Sequence, residues 1–251
     1  MRHVIVTRFS VPRLDAATAS RHADRRWLDQ RLDAFRAYYV PSVERLRVPV
    51  VLLCSSASSG YVSARLHGLP WISIVVQDAW HGGWSGSAED VLTRLDSDDA
   101  LHEGWFARLE AASAHASKAA DPRAAAALTD PGIAADPTDP GIAADPTDPG
   151  VADIADVVCT KEFLRLDARS GKIYSYKRNE PSPLAAFRHG ANPFAHDHKV
   201  LERHYRTECL AGPYLLQVVH GGNLSSRPPA WWRFRRQVPP RRLSAFGLLP
   251  A

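Results

Sequence analysis

Three short apolar runs constrain this chain most: His3 to Phe9, Val48 to Leu53 and Trp71 to Val76 are nearly continuous and rich in β-branched residues. Strands buried on both faces read this way, without polar alternation, and parallel neighbours need a helical crossover between them. Between the first two runs, Trp27, Leu28, Leu32, Phe35, Tyr39, Val43 and Leu46 recur at mostly helical intervals with charges on the other face, and Pro41 predicts a kink or restart. Further helices are predicted from Gly60 to His67 and from Ala88 to Leu92, and an amphipathic one from Leu101 to Ala120 through Trp105, Phe106 and Leu109. Strand and helix in alternation predict an α/β fold whose mainly parallel sheet binds ligands at its C-terminal strand ends.

With 251 residues, 45% of them hydrophobic, the chain can bury one such domain and an appendage. Cys54, Cys159 and Cys209 lack CxxC spacing, which argues against a zinc site or a disulfide scaffold. The Val4 to Val6 run is too short for a leader or a span, so a soluble cytoplasmic protein is expected. The net charge of +4 is uneven: no acid follows Cys209, while Arg227, Arg233, Arg235, Arg236, Arg241 and Arg242 all do. Such a stretch suits phosphate, anionic lipid head groups or an acidic partner.

Composition changes at residues 130–150, which repeat Asp-Pro-Gly-Ile-Ala-Ala-Asp-Pro-Thr twice and begin a third copy. The spacing is that of calcium-binding β-rolls, but the Gly-Gly-x-Gly-x-Asp pattern is missing and each Pro removes a ladder donor, so a duplicated surface loop is expected. Beyond it, Val157 to Leu166 and Ile173 to Tyr176 read as strands around the turn Ala168-Arg169-Ser170-Gly171-Lys172. Tyr214 to Val219 is a further apolar run, ending in His220-Gly221-Gly222-Asn223. This half reads as a smaller, more antiparallel part.

The chemistry concentrates at Asp96, Asp98 and Asp99, directly after an apolar segment. Two carboxylates one residue apart at a strand's C-terminal edge can hold a divalent cation, and the cation a phosphate. A helix N-cap is the bland reading of Asp98 or Asp99. An aspartyl-phosphate phosphohydrolase would need Thr or Val where Ala100 stands.

At these residues the chain resembles the rhamnosyltransferase-like proteins, of the GT-A nucleotide-sugar glycosyltransferase type. The resemblance rests on His3-Val4-Ile5-Val6-Thr7-Arg8-Phe9-Ser10, Trp27-Leu28 with Arg31-Leu32 and Phe35, Pro41-Ser42-Val43, and Thr93 through Leu101, with a weaker match from Tyr214 to Asn223. It implies a GT-A-like, Rossmann-like α/β fold: a mainly parallel central sheet, helices on both faces and a smaller antiparallel C-terminal part. The expected organisation is a nucleotide-sugar-binding half at 1–120, the repeat loop at 121–153, an acceptor-side half of the same domain at 154–226 and a basic tail at 227–251. Thr7, Arg8 and Phe9 would hold the nucleotide, with Arg94 adding charge; Asp96, Asp98 and His220 would hold Mn²⁺ or Mg²⁺; Asn223 and Asp99 would contact sugar or acceptor. Where relatives place an Asp after the second strand, this chain has Cys54-Ser55-Ser56.

Three further stretches bear on the acceptor. Trp80-His81-Gly82-Gly83-Trp84-Ser85-Gly86 offers aromatic faces for sugar rings and glycines for a mobile lid, or else packs and turns the chain. Glu180, His196 and Asp197 are candidate bases that spacing does not rank, and His196 and His198 are two apart, not the helical pair of a zinc protease. Trp231-Trp232-Arg233-Phe234-Arg235-Arg236 suits a membrane interface and a lipid-linked acceptor better than nucleic acid, for which no recognition motif is present. The expectation is a metal-dependent transfer of a sugar, rhamnose by resemblance, from a nucleotide diphosphate to a hydroxyl of a glycan, lipid-linked or small-molecule acceptor. A non-catalytic nucleotide- or sugar-binding protein of the same fold is the alternative.

Overall fold

The computed structural model describes residues 2–12, 20–82, 84–119, 156–220 and 236–248. The repeats, Asn223 and the Trp231-Trp232 pair lie outside these.

The strands form two sheets. The larger orders its seven strands β10-β6-β9-β4-β1-β2-β3. These are β1 (Arg2–Ser10), β2 (Val50–Cys54), β3 (Ile72–Val76), β4 (Asp90–Arg94), β6 (Val157–Thr160), β9 (Ala185–Phe187) and β10 (Thr207–Leu210). β1 runs parallel to β2 and β4, β2 to β3 and β6 to β10, while β9 lies antiparallel between β4 and β6. The expected α/β architecture with a mainly parallel sheet is therefore present. The smaller sheet, ordered β12-β8-β7-β11-β5, holds β5 (Ala100–Leu101), β7 (Glu162–Asp167), β8 (Lys172–Lys177), β11 (Leu215–Val219) and β12 (Gln237–Val238). Its pairs are antiparallel except β7 with β11.

Helices cover the faces of the large sheet unequally. α1 (Arg25–Ala34) is capped by Asp24, whose side chain accepts from the Arg26 amide at 2.9 Å. It runs through a π-helical segment, Phe35–Tyr39, into α2 (Val40–Glu44), so Pro41 falls in the first turn of a restarted helix, where its missing N–H is harmless. Together with α3 (Ser56–Leu66) and α4 (Trp105–Ala119), these bury Trp27, Leu32, Phe35, Val62 and Trp105 against Ile5, Phe9 and Leu52. Full burial of such side chains contributes about 1.5–3 kcal/mol each. The other face, Val4, Val6, Leu53 and Leu92, is covered among the described residues by α5 (Leu201–His204) and the irregular stretch around Phe194.

Two expectations need correction. Ala88 to Leu92 is not helical: its second half starts β4, which is buried throughout. Apolar periodicity cannot separate a short buried strand from a helical turn. Of the stretch expected as a basic tail, 236–248 is packed: β12 extends the small sheet, and the 3-10 helix Pro240–Phe246 buries Leu243 and Phe246 beside Leu166, Ile173 and Val218. Gly247 closes that helix at φ 72°, and a Cβ there would stand 2.6 Å from the Pro41 carbonyl oxygen. Among the described residues no helix is long and apolar enough to cross a membrane.

Candidate functional site

The chain leaves β1 outward to β2 and β3, then returns to place β4 on the other side of β1. This reversal is a topological switch point, and the crevice beyond the strands' C-terminal ends there is where ligands bind in open α/β sheets. A cavity of about 440 Å³ opens at this place. Arg8 and Phe9 enter it from the end of β1, and Asp96, Asp98 and Asp99 from the turn after β4.

That turn is fixed from both sheets. The Leu95 amide donates to the Val6 carbonyl at 3.2 Å and the Asp99 amide to the Asp96 carbonyl at 3.2 Å, before β5 joins β11. Asp99 Oδ1 accepts the Val218 amide at 3.0 Å, tying the turn to β11, while its Oδ2 is buried without a hydrogen-bond partner among the described residues. Ser97 accepts a hydrogen bond from Arg31 of α1, which also lines the cavity. The antiparallel register of β5 and β11 brings His220 back to the acids, where its Nε2 lies 3.2 Å from Asp98 Oδ2.

Charge in this turn is strained. Burial and the neighbouring Asp98 carboxylate push the Asp96 carboxyl above its ordinary range, against the pull of Arg8, Arg94 and Arg31. Burial works on Asp98 in the same direction, but the His220 hydrogen bond and Arg31 outweigh it and hold this carboxyl below its usual value. Burial and both neighbouring acids raise Asp99 furthest.

No three His, Cys, Asp or Glu side chains converge as metal ligands among the described residues. Asp96 and Asp98 still fit Mn²⁺ or Mg²⁺, which take one or two carboxylates and complete their shell with phosphate oxygens and water. His220, expected as a third ligand, is engaged with Asp98 and does not line the cavity.

Other expected residues divide between cavity and core. Arg8 lines the cavity, its guanidinium 3.5 Å from the Trp80 ring centroid and 4.4 Å from that of Phe194. Thr7 does not: alternation along β1 turns it to the helical face, where its hydroxyl meets Tyr39 Oη at 2.8 Å. Arg94 reaches the cavity wall but serves as a clamp, donating at 3.1 Å to each of the carbonyls of Pro183, Pro193 and His196. Trp80 lines the cavity, whereas Trp84 packs over the apolar cluster of Val4, Val6 and Leu92. The loop between them is stitched to the facing segment by Asn192 Nδ2 to the Gly82 carbonyl at 2.6 Å and by His81 Nδ1 with the Phe194 carbonyl at 2.9 Å.

Of the candidate bases, Glu180 is exposed and does not line the cavity. His196 lines the wall with its ring stacked on His204 at 3.7 Å, and burial lowers its pKa. Asp197 lines the rim; its Oδ1 accepts the Lys199 amide at 3.1 Å and lies 3.0 Å from His198 Nδ1.

Sequence reading missed Arg31, Arg165, Arg178, His198 and Lys199 as cavity residues. Only Arg165 carried a signal, a charge inside the run Phe163-Leu164-Arg165-Leu166.

No protein-family model matches this chain, and no curated protein does. Among solved structures it is similar to the crystal structure of S. aureus TarS 1-349, at 11% identity and a TM-score of 0.37 over 87% of this chain. The match spans 60% of that chain.

Proposed function

We propose that this protein is a glycosyltransferase, moving a sugar from a nucleoside diphosphate to a hydroxyl acceptor with the help of Mn²⁺ or Mg²⁺. The observation that carries the reading is the pair Asp96 and Asp98, one carboxyl raised and the other lowered, lining a cavity at the switch point beside Arg8 and Arg31. Both carboxylates would hold the cation, which stabilises the negative charge that develops on the departing diphosphate. Arg8 and Arg31 add fixed positive charge, and Phe9 and Trp27 give the cavity apolar rings suited to a nucleobase. Asp197 is the carboxylate on the rim able to take the acceptor's proton, with His196 beside it. The resemblance makes rhamnose the first donor sugar to test, and the basic stretch at 227–236 suits a lipid-linked acceptor at a membrane surface.

Thermal unfolding with UDP, dTDP, UDP-glucose and dTDP-rhamnose, each with and without Mn²⁺, tests the donor site. A ligand at a hundred times its Kd stabilises the native state by about 2.7 kcal/mol. The expected result is a cation-dependent rise in Tm with at least one nucleotide, abolished in Asp96→Asn and Asp98→Asn. If no nucleoside diphosphate raises Tm, the donor site is refuted. Binding without turnover on any acceptor would favour the nucleotide-binding alternative.

A further inference from the structure

Cys159 and Cys209 are fifty residues apart in sequence, and the fold makes them neighbours. They are register partners in the parallel pair of β6 and β10, where facing residues stand on strands about 4.8 Å apart with their side chains on the same face. Both pack in the apolar cluster of Val157, Phe187 and Leu201. That strand spacing falls within the roughly 4.4–6.8 Å between Cα atoms that disulfides span. β10 is the last strand of the large sheet among the described residues, so one of the two thiols sits on an edge that can yield.

Their surroundings differ. Cys159 is buried, whereas Cys209 is partly exposed beside Glu202, its Sγ 3.9 Å from Oε1. Lys161 Nζ lies 2.7 Å from that same oxygen. The hydrogen bond with Cys159, joined by Lys161, holds the Cys209 thiol below its ordinary value against its burial, while the same hydrogen bond and burial push Cys159 up. Cys209 is thus the thiol that an oxidant reaches and the one that ionises first, with Cys159 beside it. Cys54, the third cysteine, is buried on β2, on the other side of β1 from this pair.

We infer that Cys159 and Cys209 form a redox pair, which a hydroperoxide closes to a disulfide and a small thiol such as glutathione reopens, and that closure fastens β10 and the helix ahead of it. The Cys209 thiolate attacks one peroxide oxygen, the O–O bond breaks, and the other oxygen leaves as water or alcohol after taking a proton. Cys159 then attacks the sulfur of this sulfenic acid: the S–S bond forms, the S–O bond breaks, and the Cys159 proton departs with the hydroxyl as water. Two thiols lose two electrons, and the peroxide gains them. Adjacent parallel strands hold the Cβ atoms wider than the roughly 3.5–4.5 Å of a relaxed disulfide, so the bond is strained and readily reduced, which suits a switch and not a scaffold. α5, just before β10, carries His204, whose ring stacks at 3.7 Å on His196 of the cavity wall, so the fastened segment reaches the site. The inference stands apart from the glycosyltransferase reading, since it needs no ligand in the cavity.

The test treats the full chain with hydrogen peroxide and digests it without reduction. The peptide map should join Cys159 to Cys209, the monomer should lose two hydrogens in mass, and the thiol count should fall from three to one, with Cys54 left reduced. Reduced glutathione should restore all three thiols. Amide exchange over 201–210 should slow in the oxidised protein and recover on reduction. Cys209→Ser, at a partly exposed position, should keep both of its buried thiols under the same treatment, and the map of the parent chain decides the question even if the variant misfolds. A Cys209 sulfenic acid with Cys159 still a thiol, a bond only between two chains, or a disulfide that glutathione leaves intact each overturns the inference. So does unchanged exchange over 201–210.

Discussion

Arg94 shows how far a residue's role depends on what it faces. From sequence it is a cation two residues before an acid pair, and a diphosphate contact is the natural reading. In the fold it is 3% exposed and holds three carbonyls, those of Pro183, Pro193 and His196, so it builds the cavity wall. Arg94→Met leaves these acceptors without their donor and should cost about 3 kcal/mol in urea unfolding. Arg94→Lys should recover little of it, because one ammonium cannot reproduce the fork. A variant as stable as the parent but weak in nucleotide binding would restore the ligand role. His198 gives a pH signature. Burial, reinforced by Arg94, pushes its imidazole down to about 4 from the ordinary 6.5, although Asp197 pulls the other way. The unfolded chain therefore takes up this proton first, so stability is complete above about pH 6.5 and declines as pH falls toward about 4. His198→Gln cannot charge, and its stability curve should be flatter across that window; parallel curves for the two proteins would refute the assignment. Asp96 and Asp98 were legible because acids after an apolar run stand out. Arg31, Arg178 and Lys199 were not, because charges spaced along exposed helices and turns look alike until folding points them inward.

At the scale of elements, the connection between the first helix and β1 is the informative one. Helical spacing from Trp27 to Leu46 was readable, and Pro41 marked a restart. The π-helical segment before it was not, since a turn with one extra residue leaves no separate sequence trace. Its consequence is to stack Phe35 on Tyr39 at 4.5 Å and to deliver the Tyr39 hydroxyl to Thr7. Burial raises the Tyr39 pKa, so this phenol stays a neutral hydrogen-bonding group. Tyr39→Phe leaves the buried Thr7 hydroxyl without that partner and should cost about 1–2 kcal/mol, with nucleotide affinity unchanged because Thr7 faces the helices. A loss of affinity larger than the loss of stability would return Thr7 to the donor site. β6 and β7 were read as one strand from Val157 to Leu166. The chain instead breaks at Lys161 and sends the two halves into different sheets, a choice made by partners far away in sequence.

For the whole molecule, the legible part was the part built from near neighbours. β1, β2, β3 and the helices between them follow from local periodicity, as does the β7–β8 hairpin with its turn at Gly171. The pairing of β9 with β4, and the return of β11 to β5, join segments about a hundred residues apart, and no local pattern encodes them. These long-range pairings make the Asp96–Asp99 turn the hinge point of two sheets, with Leu95 bonded to β1 and Asp99 to β11. Neither bond involves the covalent connection from α4 to β6, in which the duplicated Asp-Pro-Gly segments lie. If that connection contributes only its length, removing residues 130–147 halves it and changes the closure entropy by about 0.6 kcal/mol. The deletion protein should therefore unfold in a single transition, within about 1 kcal/mol of the parent, and keep its nucleotide-induced rise in Tm. Two separate transitions would mean that the repeats help couple the sheets, and a stable protein that no longer binds nucleotide would place them in the donor site. Retention of both properties would locate the working parts where the long-range pairings converge.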